Sequence, residues 1–264
     1  MGARDGKFKI GIIGAGLGGL TAGALLSRRG HAVTVFERAR EVRPVGAGLL
    51  LQPTGMGVLD RLGVGDRVRA LGASVDRLHG TSTTGRCVMD LRYGDLRDGR
   101  LARTEGIGVH RAMLHRVLLD AAAASGSELI TGADVVSVTQ DGLRARVGLA
   151  RDGSGGRDDV ERRDFDLVVI ADGARSAMRS AGGRVRRDRR YGWGALWFVA
   201  HNPPASLVRT LRQVYDGTPT MLGFLPSGRI DQHGSETVSM FWSVRERAWR
   251  DGCEFAFAAW QHRV

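Results

Sequence analysis

A glycine-rich turn between two regular segments constrains the fold of this chain more than any other feature. Residues 8–13 form a mainly apolar run, as in a buried parallel strand, and residues 17–29 follow with helical periodicity. Gly14, Gly16 and Gly19 have the spacing G-x-G-x-x-G. Gly14 allows a tight turn, Gly16 lets a ligand approach the backbone closely, and Gly19 lets the helix pack closely on the strand. The pattern therefore predicts a strand–turn–helix unit that binds phosphate.

A second strand and an acidic residue follow this turn. Gly30 ends the helical pattern, residues 31–36 predict the strand, and Glu37 stands at its end. A carboxylate at this spacing accepts hydrogen bonds from ribose hydroxyls, while the N–H groups at the start of the helix favour phosphate oxygens. Because all these signals agree, the segment predicts a dinucleotide site.

Composition narrows the class of protein. The chain has 264 residues, of which 42% are hydrophobic and 25% charged, which is typical of one or two globular domains. Its two cysteines, Cys87 and Cys253, cannot form a disulfide framework, and no Cys/His cluster predicts a metal site. Residues 10–27 are uncharged but contain six glycines, which the phosphate-binding turn explains better than a membrane span. We therefore expect a cytoplasmic protein with no metal and no membrane span.

The net charge of +11 comes from arginine, since only Lys7 and Lys9 among the 39 basic residues are lysines. Residues 184–190 concentrate five of the arginines. Such a run can attract nucleic acid, an anionic membrane or an anionic cofactor such as NADPH. Aromatic residues are only 6% of the chain and no nucleic-acid-binding motif accompanies the run. We therefore expect no nucleic-acid partner.

A second apolar run ends in an acidic residue. Residues 165–170 predict another buried parallel strand, and Asp172-Gly173 follows it. A carboxylate at the carboxyl end of a parallel strand lies where open α/β sheets bind ligands. The alternative is that Asp172 caps the helix that follows. The local sequence leaves both interpretations open.

The other periodicities predict an interrupted architecture. They indicate a glycine-rich loop over 44–53, short helices over 54–71, strands within 79–97, a helix over 110–124, a hairpin over 135–149, a polar loop over 151–163, strands at 193–200, 221–225 and 237–242, and an amphipathic helix from about 245.

The joint order of these motifs resembles the FAD-dependent aromatic hydroxylases, the para-hydroxybenzoate hydroxylase-like flavoprotein monooxygenases. The resemblance rests on residues 14–19, Glu37-Arg38, the loop over 44–53, Arg111 on its helix, and Asp172-Gly173 with Ser176 and Arg179. It implies an α/β fold in which a Rossmann-type FAD-binding domain carries an inserted antiparallel β-sheet that forms a substrate layer. The FAD-binding domain would comprise residues 1–75 and 102–182, the β-sheet domain 76–101 and 183–244, and a truncated helix would begin in 245–264.

The same resemblance assigns cofactor-binding roles to eight residues. Four of them would line the FAD pyrophosphate, namely Gly14, Gly16, Leu17 and Gly19. Glu37 would hold the adenosine ribose with Arg38 beside the adenine. Arg111 would reach FAD from its helix, unless it is an ordinary surface arginine. Asp172 would contact FAD or the pyridine nucleotide.

The activity implied by the resemblance is hydroxylation of a small aromatic or polyketide-like molecule with O2 and NADPH or NADH. Because the cofactor performs the oxidation, the family requires little acid–base chemistry from the protein, and the sequence identifies no catalytic residue. Two alternatives remain open. One is another FAD oxidoreductase of related fold, such as a halogenase or a prenyl-chain reductase, although no Trp-x-Trp-x-Ile-Pro segment of the halogenase type is present. The other is a non-catalytic FAD-binding remnant.

One departure from the family concerns the flavin end of the site. Members carry a later Gly-Asp-Ala-Ala-His motif that grips the ribityl chain and the flavin ring. The two Gly-Asp pairs here, Gly65-Asp66 and Gly94-Asp95, both precede Asp172. We therefore expect that the chain corresponds to the amino-terminal part of a monooxygenase, that a C-terminal half is its missing partner, and that FAD binds weakly without it.

Overall fold

The computed structural model describes residues 6–42, 46–95, 105–150, 160–183, 185–217, 220–230 and 234–246. The chain divides into two compact units. Unit 1 comprises Met1–Val45, Gly57–Val68 and Arg111–Arg187. Unit 2 comprises Gly46–Met56, Arg69–His110 and Asp188–Val264.

Sixteen strands and four α-helices are the main elements of the described parts of the chain. In chain order they are β1 (Lys9–Ile13), α1 (Leu17–Arg28), β2 (Ala32–Glu37), β3 (Gly48–Leu51), α2 (Pro53–Arg61), α3 (Gly65–Leu71), β4 (Ala73–Val75), β5 (Arg77–Ser82), β6 (Cys87–Arg92), β7 (Gly106–His110), α4 (Arg111–Ala124), β8 (Glu128–Thr131), β9 (Val135–Asp141), β10 (Arg144–Ala150), β11 (Val160–Phe165), β12 (Leu167–Ile170), β13 (Trp193–His201), β14 (Thr210–Asp216), β15 (Thr220–Arg229) and β16 (Glu236–Arg245).

A four-stranded parallel sheet is the centre of unit 1. Its order is β12-β1-β2-β8, and Ile10 of β1 lies between Leu167 of β12 and Val33 of β2. Helices α1 and α4 contact each other in the same unit. This arrangement confirms the predicted Rossmann-type α/β fold, in which the glycine turn joins β1 to α1.

Strand β12 departs from its prediction in position and burial. It begins at Leu167, and Leu167 is 48% exposed, whereas Phe165 ends the preceding strand and is buried. The physical reason is that β12 lies at an edge of the described sheet and has only β1 beside it, so its apolar side chains are only partly covered.

A three-stranded antiparallel sheet of order β11-β10-β9 completes the sheets of unit 1. Its β9–β10 hairpin confirms the prediction from Asp141-Gly142. The loop predicted over 151–163 is wrong for residues 160–163, which belong to β11, while 151–159 lie outside the described residues. Strand β11 was missed because its charged side chains hide the pattern; its partner β10 supplies the buried Val147 and Leu149.

Unit 2 contains a six-stranded sheet of order β13-β16-β15-β14-β5-β6 and a three-stranded sheet of order β3-β7-β4. Neighbouring strands are antiparallel except for the β5–β14 pair. The strands predicted at 193–200, 221–225 and 237–242 are confirmed. The helix expected from about 245 falls largely outside the described residues and stays a prediction.

The glycine-rich loop predicted over 44–53 is wrong for β3. Gly48 pairs with His110 of β7, and its N–H donates to Ser239 Oγ, 2.7 Å away in the buried interior of unit 2. A Cβ at Gly48 would overlap the side chain of Ser227. Long-range pairing and close packing therefore make a strand of a segment whose glycines locally favour a loop.

Candidate functional site

The glycines of the turn fall into two groups, and the first group is required by the fold. Gly14 has a φ of +100°, and a Cβ built there would lie 2.6 Å from the carbonyl oxygen of Ala171. A Cβ at Gly19 would overlap the carbonyl oxygen of Gly14. These two positions therefore need glycine for backbone conformation and close approach, whatever the turn binds.

Gly16 belongs to the second group. Its φ of −72° suits any residue, and a Cβ built there would meet no protein atom within 4 Å. Gly18 also faces open space. Neither strain nor packing within the protein explains these glycines, which leave room for a ligand to approach the backbone.

The start of α1 offers hydrogen-bond donors at the same place. Gly16 is the N-cap residue, no side chain caps the helix, and no acidic residue stands in its first turn. The first N–H groups of a helix lack intrahelical partners and lie at the positive end of its dipole. The turn can therefore receive an anion such as a phosphate.

Glu37 lies at the end of β2 and contacts the turn itself. Its Oε2 accepts the N–H of Ala15 at 2.9 Å, and its Oε1 accepts the N–H of Ala39 at 2.9 Å. Each oxygen keeps lone pairs for a further donor. The carboxylate predicted to bind ribose thus also ties the turn after β1 to the segment after β2, while the neighbouring Arg38 is exposed.

His115 contacts the glycine turn, and the sequence did not predict this contact. Its Nε2 lies 2.7 Å from the carbonyl oxygen of Ala15. His115 is half-buried on α4, one hundred positions from Ala15 in the chain. Nothing in the local sequence signals this contact, because a single histidine on a helix is compatible with many roles.

Asp172 adopts the arrangement expected of a turn cap. Its Oδ2 accepts the N–H of Ala177 at 3.0 Å and that of Met178 at 3.3 Å. Partial burial by itself would raise the pKa of Asp172, but the nearby Ser176 hydroxyl and hydrogen bonds from backbone N–H groups outweigh it and lower the pKa below its ordinary value of 3.8. Asp172 therefore caps the turn that follows it and not a helix, since the 3-10 helix at Arg179–Gly182 has no side-chain cap.

The lowered pKa of Asp172 predicts a pH-dependent contribution to stability. Because the folded protein holds the carboxylate ionised more strongly than the unfolded chain does, its contribution is present above pH 3.8 and is lost as the pH falls through the folded pKa. We expect Asp172→Asn to be less stable than the wild type at pH 7 and the difference to shrink below pH 3.8. Urea denaturation of both proteins from pH 7 to 3 measures the difference between their free energies of unfolding. A constant difference over that range would contradict the prediction.

A cavity of about 1140 Å3 opens between the glycine turn and the segment after β12, within unit 1. Its lining includes Gly16, Leu17 and Gly18 of the turn, Arg111 at the start of α4, Asp172 and Gly173, and the arginines Arg179, Arg186 and Arg187. The cavity is large enough for a cofactor. Four arginines against one carboxylate favour an anionic ligand.

The cavity brings together several of the residues predicted to bind the cofactor. Gly16, Leu17, Arg111 and Asp172 line it. Gly14, Gly19 and Glu37 shape the turn through the contacts given above. Ser176 and Arg179, which contributed to the resemblance, also line it.

Comparison with known families identifies the architecture. Residues 7–248 match the model of the FAD binding domain. This chain belongs to the FAD binding domain family. The matched range includes the glycine turn, Arg111 and Asp172. Together with the relatives described below, it confirms the resemblance to FAD-dependent flavoproteins of the aromatic hydroxylase type.

Two curated relatives are named as monooxygenases. The chain is 34% identical over 228 residues to the 3-amino-4-hydroxybenzoate 2-monooxygenase of Streptomyces cremeus. The aligned region covers 85% of this chain and 52% of that protein. It is 28% identical over 245 residues to the asperlicin C monooxygenase of Petromyces alliaceus, covering 84% of this chain and 49% of that protein. The chain thus spans about half the length of these relatives.

A solved structure of similar fold is that of CmlS, a flavin-dependent halogenase, with a TM-score of 0.77 and 20% identity. The match covers 98% of this chain and 46% of the halogenase. At this identity the likeness concerns the fold alone. Within the described part of the chain, no helix is long and apolar enough to cross a membrane.

Proposed function

We propose that unit 1 binds FAD with its pyrophosphate at the turn between β1 and α1. The observation that carries this proposal is Gly16, which lines the cavity and has no neighbouring protein atom where its Cβ would stand. The uncapped start of α1 supplies N–H donors there, and Arg111 lines the same cavity with a positive charge. These groups fit a pyrophosphate, and the family match supplies the identity of the cofactor.

We propose different roles for the other residues near the turn. Gly14 and Gly19 allow the turn to form, and Leu17 contributes backbone to the pyrophosphate site. Glu37 accepts hydrogen bonds from the adenosine ribose through lone pairs that its two backbone contacts leave available. Arg38 lies beside the adenine.

We propose that Asp172 holds the shape of the segment after β12 that lines the cavity, as its hydrogen bonds to the following turn support. We also propose that unit 2, with its six-stranded sheet, provides the substrate layer.

We infer that the protein is an FAD-dependent monooxygenase acting on a small aromatic molecule. The names of the two relatives support this activity, and the benzoate in the first name supports this substrate class. In the balanced reaction NADPH or NADH supplies two electrons, one atom of O2 enters the substrate, and the other leaves as water. FAD supplies the oxidation chemistry, and residues of the protein bind it, orient it and exclude water.

Binding and turnover test this proposal separately. Titration of the purified chain with FAD, followed by flavin fluorescence, is expected to show saturable binding. The loaded protein, given NADPH or NADH, O2 and a panel of amino- and hydroxybenzoates, is expected to oxidise the nicotinamide and yield a product heavier by one oxygen atom. FAD binding without such oxidation across the panel would contradict the activity and favour a non-catalytic FAD-binding protein.

A further inference from the structure

We propose that His115 is a positioning residue for the phosphate-binding turn and acts through the carbonyl group of Ala15. Its Nε2 lies 2.7 Å from that oxygen. The inference rests on the proposed FAD site, but it assigns a function to a side chain on α4 that need not touch the cofactor.

Both polar groups of Ala15 are held by side chains from other elements. The N–H donates to Glu37 Oε2 at 2.9 Å, and the carbonyl oxygen faces His115. The preceding N–H, that of Gly14, donates to the carbonyl oxygen of Phe36 at 2.7 Å. Ala15 is only 2% exposed, so water gives little help in satisfying its carbonyl group if His115 is removed.

The bond to His115 has a direct consequence for Gly16. The carbonyl of Ala15 and the N–H of Gly16 belong to one planar peptide unit, and the described residues contain no cis peptide bond. In a trans peptide these two groups point in opposite directions. Holding the Ala15 oxygen towards α4 therefore fixes the direction of the Gly16 N–H, and Gly16 lines the cavity.

The chemistry of imidazole defines the role further. A carbonyl oxygen only accepts, so His115 Nε2 must carry a hydrogen, which is true of one neutral tautomer and of the imidazolium ion. The ring is anchored by a packed helix, since Leu114 and Leu118 on α4 are buried. The donor is therefore held in place, and an anion at the turn finds a preorganised N–H group instead of one that must reorient.

Substituting His115 with glutamine or with leucine distinguishes the effect of the hydrogen-bond donor from the effect of side-chain size. His115→Gln places an amide N–H within reach of the same carbonyl, whereas His115→Leu removes the donor. We expect His115→Leu to weaken the binding of FAD and of ADP by the same factor, about tenfold, as for one hydrogen bond. His115→Gln is expected to retain most of the affinity, and the exposed neighbour Arg116→Gln is a matched control on the same helix.

Calorimetric titration of the full chain with FAD and with ADP measures these affinities, and thermal unfolding shows that each variant is folded. ADP is included because it carries the pyrophosphate without the flavin. Unchanged affinity in His115→Leu, a loss confined to FAD, or an equal loss in His115→Gln would each overturn the proposal.

A measurement without any ligand distinguishes failure of this inference from failure of the FAD site. Hydrogen exchange of the Gly14–Leu17 amides is expected to be faster in His115→Leu than in the wild type and near the wild-type rate in His115→Gln. If exchange is the same in all three proteins, His115 does not hold the turn. If exchange follows this pattern but the wild type binds neither FAD nor ADP, the proposed function fails while the positioning of the turn stands.

Discussion

Replacing Gly16 with valine is expected to weaken FAD binding roughly a hundredfold and to cost at most about 1 kcal/mol of stability, since valine is disfavoured relative to glycine at an N-cap. The backbone of Gly16 suits any residue, and the added side chain would meet no protein atom within 4 Å of its Cβ. It would instead fill the space through which we propose that the pyrophosphate reaches the backbone. A clash of this kind costs about 2–3 kcal/mol, or roughly a hundredfold in affinity.

Fluorescence titration with FAD and urea denaturation, run on the same preparations, measure the two effects of Gly16→Val. Gly57→Val is a matched control, because a Cβ at Gly57 also faces open space but Gly57 lies on α2. It is expected to bind FAD as the wild type does. Wild-type affinity in Gly16→Val would place the pyrophosphate away from this turn.

Replacing Gly14 with alanine is expected to destabilise the fold itself, by about 3 kcal/mol. Two effects combine: the φ of +100° disfavours any side chain, and the new Cβ would lie 2.6 Å from the carbonyl oxygen of Ala171. That oxygen follows β12, so the clash pushes the end of this strand away from β1. Urea denaturation measures the loss.

Gly173→Ala separates the two causes of the Gly14 effect. Gly173 has a φ of +86°, but its Cβ would meet nothing within 4 Å, so only backbone strain remains. We expect a loss of about 1 kcal/mol there. If Gly14→Ala cost no more than Gly173→Ala, close packing against Ala171 would not be a determinant of stability.

Much of unit 1 was predictable from short stretches of sequence. The strand before the turn, the helix after it and the second strand are all present. These features depend on local periodicity and on glycine, whose conformational freedom acts within a few residues. The motif order also predicted the family, because each motif has a separate structural requirement.

Elements that depend on pairing were less predictable. The strands that were not identified are β3, β4, β7, β8 and β14, and β11 was taken for part of a loop. Strand β7 precedes α4 directly and is buried along its whole length, so its sequence merges with the helical pattern. In β11 the charged side chains disguise a strand whose partner is β10.

The sequence by itself determined that a glycine turn joins a strand to a helix, because this property follows from residue type and spacing. The FAD-binding fold was implied by the resemblance of the motif order to a known family. The spacing also assigned Gly14 to the turn, Gly16 to the approach of a ligand and Gly19 to close packing, and the structure agrees, since a Cβ would meet protein atoms at Gly14 and Gly19 but not at Gly16. Only the tertiary structure decided that Gly18 faces open space as well. It also brought His115 to Ala15, a contact between residues a hundred positions apart. Such contacts depend on how helices pack against a sheet, and no local pattern encodes them.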